Sequence, residues 1–408
     1  MSVPARSGAR TGRTLLLAGN TLHARDPDGR YCTHSALARQ LDQWFAEFDR
    51  IVIAAVLDTG GEVPTGFAPY APADITFVPL RKAGGTGLAA KLDALWSSVS
   101  WVVTLIPLLR DADVVHLRAP CNVTVVAIPL ARILSPRRYA IYAGAWDPPP
   151  GGPGSYTLQR WMLRHFGGVV HVYAPVSATA PSNLRPNFSP TFTAPQLDDL
   201  GPATRRRLER ISARPPRDAG LRLCCVGRFS ANKNQATVVE AVATLASRGV
   251  AVELRFAGAG DTEEEVRALV AQRGLGRSVT FLGRCDEAEI MDLYEWADVN
   301  VMISEVEGFG RVLLEGMGVG CPAVCGPGVM QRSMVGGDGA RGRQVDPPHL
   351  PGLVAALDEL RMLSPAEWTS VAEACRAHAR AHTVEAFGQE VRELLAEMGS
   401  PGSGARAR

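Results

Sequence analysis

Short apolar runs recur along this chain, each followed by a longer segment whose apolar positions repeat at helical spacing. Runs that are apolar on both faces suit strands covered on both sides. Their alternation with amphipathic segments implies parallel strands joined by helical crossovers, an α/β fold. In the first half the pattern predicts strands at Thr14–Ala18, Ile51–Val56, Ile75–Val78, Val114–Leu117, Arg138–Tyr142 and Val169–Tyr173. It predicts helices over Thr33–Phe48, Leu88–Leu109, Val123–Leu134 and Tyr156–His165. The pattern restarts at Leu221–Val226, with further strands at Val252–Ala257, Val279–Leu282, Val299–Ile303 and Pro322–Cys325. Between the halves, Arg205-Arg206-Arg207 and Pro215-Pro216 read as a polar helix and linker. Ser364-Pro365-Ala366-Glu367 has the form of a capping box with proline at the first helical position. It opens a helix to about His382, and Thr383 precedes a last one over Val384–Met398. The organisation expected is a tail (1–13), an α/β domain (14–199), a linker (200–220), a second α/β domain (221–383), a final helix (384–398) and a Gly/Ser/Arg-rich tail (399–408).

Composition narrows the class. The 408 residues are 46% hydrophobic and 21% charged, as in ordinary globular enzymes, and are enough for two domains. A net charge of +2 gives no reason to expect nucleic acid as a partner. The longest apolar runs, Val102–Leu109 and Val123–Ile133, contain proline and fall short of a membrane span. With no apolar core after Arg6, Arg10 and Arg13, the amino end reads as a tail rather than a signal peptide, and a cytoplasmic location is expected. The eight cysteines include no C-x-x-C pair and read as small core residues of a reduced protein. His378 and His382, four apart, lack a third ligand at metal spacing. Asp26-x-Asp28 and Asp111-x-Asp113 do not follow a strand as a metal-binding pair would, so no metal site is expected.

The chemistry concentrates in Glu305-Val306-Glu307-Gly308-Phe309-Gly310-Arg311-Val312-Leu313-Leu314-Glu315. A strand, a tight glycine turn and a helix start make an anion site, because the turn lets backbone approach a ligand and the helix N-terminus offers free N–H groups. Carboxylates beside a phosphate would repel it, so Glu307 and Glu315 suit hydroxyl-rich groups; two merely solvated acids are the plainer alternative. Upstream, Leu221–Val226 leads into Gly227-Arg228-Phe229-Ser230-Ala231-Asn232-Lys233-Asn234. Lys233 is one of three lysines (with Lys82 and Lys91) in a chain that otherwise uses arginine. Lysine is a compact point charge suited to a phosphate oxygen. In the first half, His116 and Arg118 are two apart on a strand and share a face.

Ser304-x-x-Glu307-Gly308-Phe309-Gly310, Leu314-Glu315-Gly316-Met317 and Gly320-Cys321-Pro322 together resemble the E-x7-E signature of retaining glycosyltransferases of family 4. Arg228 and Lys233 resemble that family's G-R-x(4)-K segment. His116-x-Arg118-x-Pro120, Trp146-Asp147, Asp28-Gly29-Arg30-Tyr31 and Phe48-Asp49 are similar to a branch of bacterial exopolysaccharide enzymes. Many members of the family have a histidine where Arg118 stands. The resemblance implies a GT-B fold, two Rossmann-like domains facing a cleft, with the last helix crossing back to the first. It also implies metal-free transfer of a sugar from a nucleotide-diphosphate donor, most often UDP-linked, to a hydroxyl, with retention and without a cofactor. Arg228 and Lys233 would hold the diphosphate with the N–H groups after Gly308, and Glu307 the sugar. Gly308, Phe309, Gly310 and Glu315 would bind the donor, Glu315 at the ribose, while Arg284 and Cys285 lie on the loop that reads the base. His116 and Arg118 would act from the first domain. Gly258-x-Gly260 lacks the third glycine of a dinucleotide site and recurs in the family without a cofactor. The acceptor stays open between a glycan or lipid-linked intermediate, which would bring weak membrane-surface contact with it, and a small metabolite. A sugar-nucleotide epimerase, a phosphorylase and a non-catalytic sugar-nucleotide-binding relative are the alternatives.

Overall fold

The computed structural model describes residues 12–399, apart from 59, 61–62, 73, 84–87, 148–153 and 177–179. The ends read as tails therefore lie outside the described residues, except for 12–13 and 399.

The first half carries β1 (Thr14–Arg25), β2 (Tyr31–His34), β3 (Arg50–Leu57), β4 (Phe67–Pro69), β5 (Ile75–Pro79), β6 (Val114–Ala119), β7 (Arg138–Tyr142), β8 (Val169–Val172) and β9 (Leu184–Pro186). Its helices are α1 (Ser35–Phe45), α2 (Leu88–Asp111), α3 (Asn122–Leu134) and α4 (Gly154–Arg164). The parallel strands lie in the order β5-β3-β1-β6-β7-β8-β9. β1 runs beyond its predicted end at Ala18: its register with β3 shifts between Ala18 and Leu22, and its far end pairs antiparallel with β2. The helix predicted over Thr33–Phe48 is shortened for the same reason. Cys32 and Thr33 sit in a ladder between β1 and β4, and α1 begins only at Ser35. Pairing overrides helical spacing here.

A connecting segment follows, made of α5 (Ala194–Asp199), α6 (Gly201–Ala213) and α7 (Pro216–Ala219). The stretch read as a linker is packed, not open. Arg207 on α6 is 1% exposed and donates to the carbonyls of Ala297, Gly320 and Asp298 at 2.9, 2.9 and 2.6 Å, with its guanidinium over Trp368.

The second half has β10 (Leu221–Val226), β11 (Val252–Ala257), β12 (Val279–Phe281), β13 (Val299–Met302), β14 (Ala323–Cys325) and β15 (Gly342–Gln344), all parallel in the order β12-β11-β10-β13-β14-β15. Its helices are α8 (Gln235–Ser247), α9 (Glu263–Gln272), α10 (Glu287–Trp296), α11 (Arg311–Gly318), α12 (Val329–Val335), α13 (Leu350–Arg361) and α14 (Pro365–Ala381). The capping box at Ser364 is present, with Glu367 N–H donating to the serine hydroxyl. The last helix, α15 (Val384–Gly399), packs on α1 of the first half.

Both parallel sheets reverse strand order beside their first strand, the doubly wound arrangement that opens a crevice at the strands' carboxyl ends. In the second half that crevice lies between β10 and β13, in the first between β1 and β6. One apolar cluster runs through Trp44 and Phe45 of α1, Tyr139 of β7, Phe387 of α15 and then Phe309, Leu313 and Leu314, so the two halves share a core beside the crevices.

Candidate functional site

β10 and β13 end side by side, and the loops that leave them are joined by one asparagine. Asn232 donates from Nδ2 to the Val306 carbonyl at 2.8 Å and accepts from Val306 N–H at 2.9 Å, while its own carbonyl accepts from Glu305 N–H at 2.9 Å. These bonds hold the cationic loop against the glutamate turn, and the Lys233 ammonium is ion-paired with Glu307. Both side chains are about three-quarters removed from solvent. Arg228 lies further out, ion-paired at 2.7 Å with Asp261 in an exposed contact.

The turn after Glu307 is fixed from two sides. Gln331 donates from Nε2 to the Gly308 and Phe309 carbonyls at 3.1 and 3.4 Å. Gly308 approaches the first half so closely that a Cβ there would lie 2.5 Å from the Ala143 carbonyl oxygen. Gly310, at φ 77°, takes the left-handed conformation that starts α11. Phe309 is buried against Tyr173, also of the first half. Glu315 lies one turn into α11, part-buried, and accepts a hydrogen bond from the Tyr294 hydroxyl at 3.3 Å. Burial pushes its carboxyl above the ordinary value, against the pull of Arg311.

A cleft of about 890 Å³ opens between the halves. From the second half its wall includes Gly227, Arg228, Gly258–Asp261, Arg284, Cys285, Arg311 and Glu315; from the first it includes His34, Ser35, Ala36, Arg39 and Thr65–Ala68. Gly258-Ala259-Gly260 is therefore part of the wall. A Cβ at Gly258 would meet the Gly227 carbonyl oxygen at 2.1 Å, and one at Gly260 the Phe229 carbonyl oxygen at 2.1 Å, so these glycines let two loops pack backbone to backbone. Lys233 and the Glu307–Gly310 turn are not among the residues that line this cleft; Lys233 and Glu307 keep 24% and 21% of their side-chain surface exposed.

Pattern reading missed the first-half wall. Arg39 of α1 reaches across to Glu287 at 2.8 Å, and His34 lies close enough to Arg311 and Arg39 that both add to burial in lowering its pKa. Nothing in sequence spacing links residues 248 apart; only the fold brings Arg39 to Glu287. Tyr294 was missed likewise, being a core-facing residue of α10 with no motif around it.

His116 and Arg118 do share a face, but they stand differently. His116 is 2% exposed, packed between Trp44 and Tyr139 with neither ring nitrogen bonded, so the structure makes it part of the core and not a group at the cleft. Burial pushes its pKa well below the ordinary value. Arg118 lies at the carboxyl end of β6, next to the β7 end that meets Gly308. Its Nη1 is buried without a hydrogen-bond partner. A buried guanidinium nitrogen without an acceptor is costly unless an anion or other acceptor meets it.

The buried histidines also set an acid limit. Burial lowers His23 and His171 from 6.5 to about 4. In the unfolded chain both would take a proton near their ordinary pKa, so between about pH 6.5 and 4 the unfolded state binds more protons than the folded one. The stabilisation is present above pH 6.5 and is lost as pH falls toward 4. Tm measured across that range is expected to drop, and His171→Gln to flatten the slope; a wild-type Tm that stays level would refute the assignment.

Residues 209–367 match the family described as Glycosyl transferases group 1. Among curated proteins, a putative glycosyltransferase EpsD of Bacillus subtilis is 39% identical over 93 residues, 23% of this chain and 24% of that protein. A GDP-mannose-dependent alpha-(1-6)-phosphatidylinositol monomannoside mannosyltransferase of Mycobacterium tuberculosis is 27% identical over 187 residues, 41% and 47% of the two chains. The matches thus span less than half the length of these relatives. Among solved structures, Anabaena HepE in complex with UDP and glucose superposes with a TM-score of 0.65 at 16% identity, covering 94% of this chain and all of that one.

Proposed function

We propose that this chain, whose residues 209–367 form a Glycosyl transferases group 1 domain within a GT-B fold, transfers a sugar from a nucleotide-diphosphate donor to a hydroxyl acceptor, with retention of anomeric configuration and without a metal. The observation that carries the reading is the junction made by Asn232, which sets Lys233, Glu307 and the start of α11 together at the carboxyl ends of β10 and β13. In the reaction the bond between the sugar C1 and the diphosphate oxygen breaks, and the acceptor oxygen bonds to C1 from the same face. The departing phosphate oxygen takes the acceptor proton. The main task is to hold the negative charge that develops on the diphosphate, and cations with free N–H groups at a helix start are suited to it. An ammonium has three donors, so Lys233 can keep Glu307 and still meet phosphate oxygens. The exposed Arg228–Asp261 pair is of a kind worth at most about 1 kcal/mol, so a diphosphate can draw Arg228 away from it.

UDP is the nucleotide we favour, in line with the UDP bound by HepE. The base would meet the loop of Arg284 and Cys285, and the ribose hydroxyls would reach Glu315. Glu315→Gln is expected to weaken binding of UDP alone by about 10-fold, the loss of one hydrogen bond to a charged group, whereas Glu307→Gln is expected mainly to lower kcat. Calorimetry with UDP and initial rates separate the two; the reverse pattern would exchange the roles. The reading as a whole is tested by incubating the protein with a panel of UDP-sugars and following UDP release with and without acceptors. No release from any of them would defeat it.

Arg118 has a place in this reaction where His116 has none. Its unpaired Nη1, at the strand end next to the Gly308 contact, fits an anionic oxygen of the donor or acceptor. Arg118→Ala is expected to spare UDP affinity, which belongs to the second half, and to lower transfer by about 10²-fold. Excess EDTA is expected to leave wild-type transfer unchanged. Unchanged transfer in Arg118→Ala would return the residue to a structural role, and activity lost in EDTA and restored by Mg²⁺ would defeat the metal-free mechanism.

A further inference from the structure

α2 carries apolar side chains on its outer face as well as its inner one. Its inner face supplies Trp101, Leu105 and Leu109 to the core that covers one side of the first sheet. Its outer face should then be polar. Instead Trp96, Val99 and Val103, at spacings of three and four along one face, are 75%, 61% and 68% exposed. The neighbouring helices continue the surface. α3 packs beside α2 and α4 beside α3, and all three send their inner residues into the same core, so their outer faces look the same way. α3 adds exposed Ile133, and α4 adds exposed Leu158 and Trp161. Scattered exposed apolar side chains need no explanation, but six of them on three neighbouring helices of one layer do.

The charges on these helices are one-sided. They carry Lys91, Arg110, Arg132, Arg160 and Arg164 against Asp93 and Asp111. Both acids are already engaged, Asp93 with Arg81 at 2.5 Å and Asp111 with Arg50 at 3.3 Å. Arg110, Arg132 and Arg164 are exposed. A second copy of the chain meeting this face about a twofold axis would bring arginines toward arginines. An anionic surface would meet them with opposite charge, and tryptophan side chains favour the boundary between headgroups and hydrocarbon.

We propose that the outer face of α2, α3 and α4 is a docking surface for an anionic lipid bilayer. The contact is interfacial: no helix among the described residues is long and apolar enough to cross a membrane. Apolar side chains enter the headgroup boundary and the arginines meet lipid phosphates, each basic group near the surface contributing about 1 kcal/mol. In a parallel α/β layer the N-terminal ends of crossover helices lie at the strands' carboxyl edge, the edge where the cleft opens. Docking by this face therefore places the cleft's rim near the bilayer. The inference rests on the fold and the surface, and does not depend on the donor chemistry proposed above.

Vesicle co-sedimentation of the full chain tests it, with phosphatidylglycerol/phosphatidylcholine vesicles against phosphatidylcholine alone. The wild type is expected to sediment with the anionic vesicles and to be released by high salt. Trp96→Ser/Val99→Ser/Val103→Ser is expected to lower partitioning by about 10-fold or more, and Arg132→Glu/Arg164→Glu to weaken it as well. All these side chains are exposed, so an unchanged Tm serves as the folding control, and Met362→Ser, an exposed change on the second half, should bind as the wild type does. Failure of the wild type to bind anionic vesicles would overturn the proposal. So would a wild-type dimer in sedimentation equilibrium that the triple serine variant dissolves, because the face would then be a self-association surface.

Discussion

Lys233→Ala is expected to lower turnover by about 10²-fold or more, the scale seen when one preorganised donor to a developing oxyanion is removed. Lys233 is held by the bonds of Asn232 and by its ion pair with Glu307, so its ammonium is already in position before a donor arrives. Little reorganisation is then needed as the glycosyl–phosphate bond breaks, which is where such a group contributes most. The same geometry predicts that Lys233→Arg rescues poorly, since a planar fork cannot replace a compact ammonium in a part-buried contact. Asn232→Ala, which removes the side-chain bonds to Val306 that join the two loops, should reduce kcat by loosening both. Steady-state rates at saturating donor, with UDP affinity measured alongside, check all three. Near-wild-type turnover in Lys233→Ala would remove this loop from the reaction centre.

Arg207→Ala is expected to destabilise the chain by about 3 kcal/mol or more. The side chain is buried and donates to three carbonyls, from Ala297, Asp298 and Gly320, that lie where α10, β13 and α11 meet. Truncation would leave buried acceptors short of a donor, at about 1–3 kcal/mol for each such group, and would open a void against Trp368. Lysine could recover only part of this, because it cannot present the same fork of donors. Equilibrium denaturation in urea measures the effect as a lower midpoint. A change below about 0.5 kcal/mol, the range of ordinary surface substitutions, would contradict the structural role.

Arg207 also marks where reading by pattern stops. A run of three arginines near two prolines has the composition of an exposed connector, and spacing alone cannot tell which of the three turns inward. Arg206 is salt-bridged to Glu295 on the outside, while Arg207, one residue on, is in the core. The opposite case is the glutamate turn. There the glycines, the apolar strand before them and the amphipathic helix after them are local requirements of one strand–turn–helix unit, so the sequence carries them in full. Gln331, which holds the turn from α12, is separated from it by more than twenty residues and has no local signature.

The sequence by itself determined the two α/β halves, most strand positions and the placing of Glu307, Glu315, Arg228 and Lys233 on the loops and the helix that follow β10 and β13. Each of these depends on periodicity or on residues close together along the chain. The tertiary structure alone decided which side chains meet. It paired Lys233 with Glu307, brought Arg39 to Glu287 across the cleft and set Gly308 against Ala143. It also separated His116 from Arg118, which the two-residue spacing had treated alike, enclosing the histidine between Trp44 and Tyr139 and leaving the arginine at the strand end. The physical reason is common to all four. Side-chain direction follows from local backbone geometry, but burial and charge pairing depend on distant segments that the packed core brings into contact.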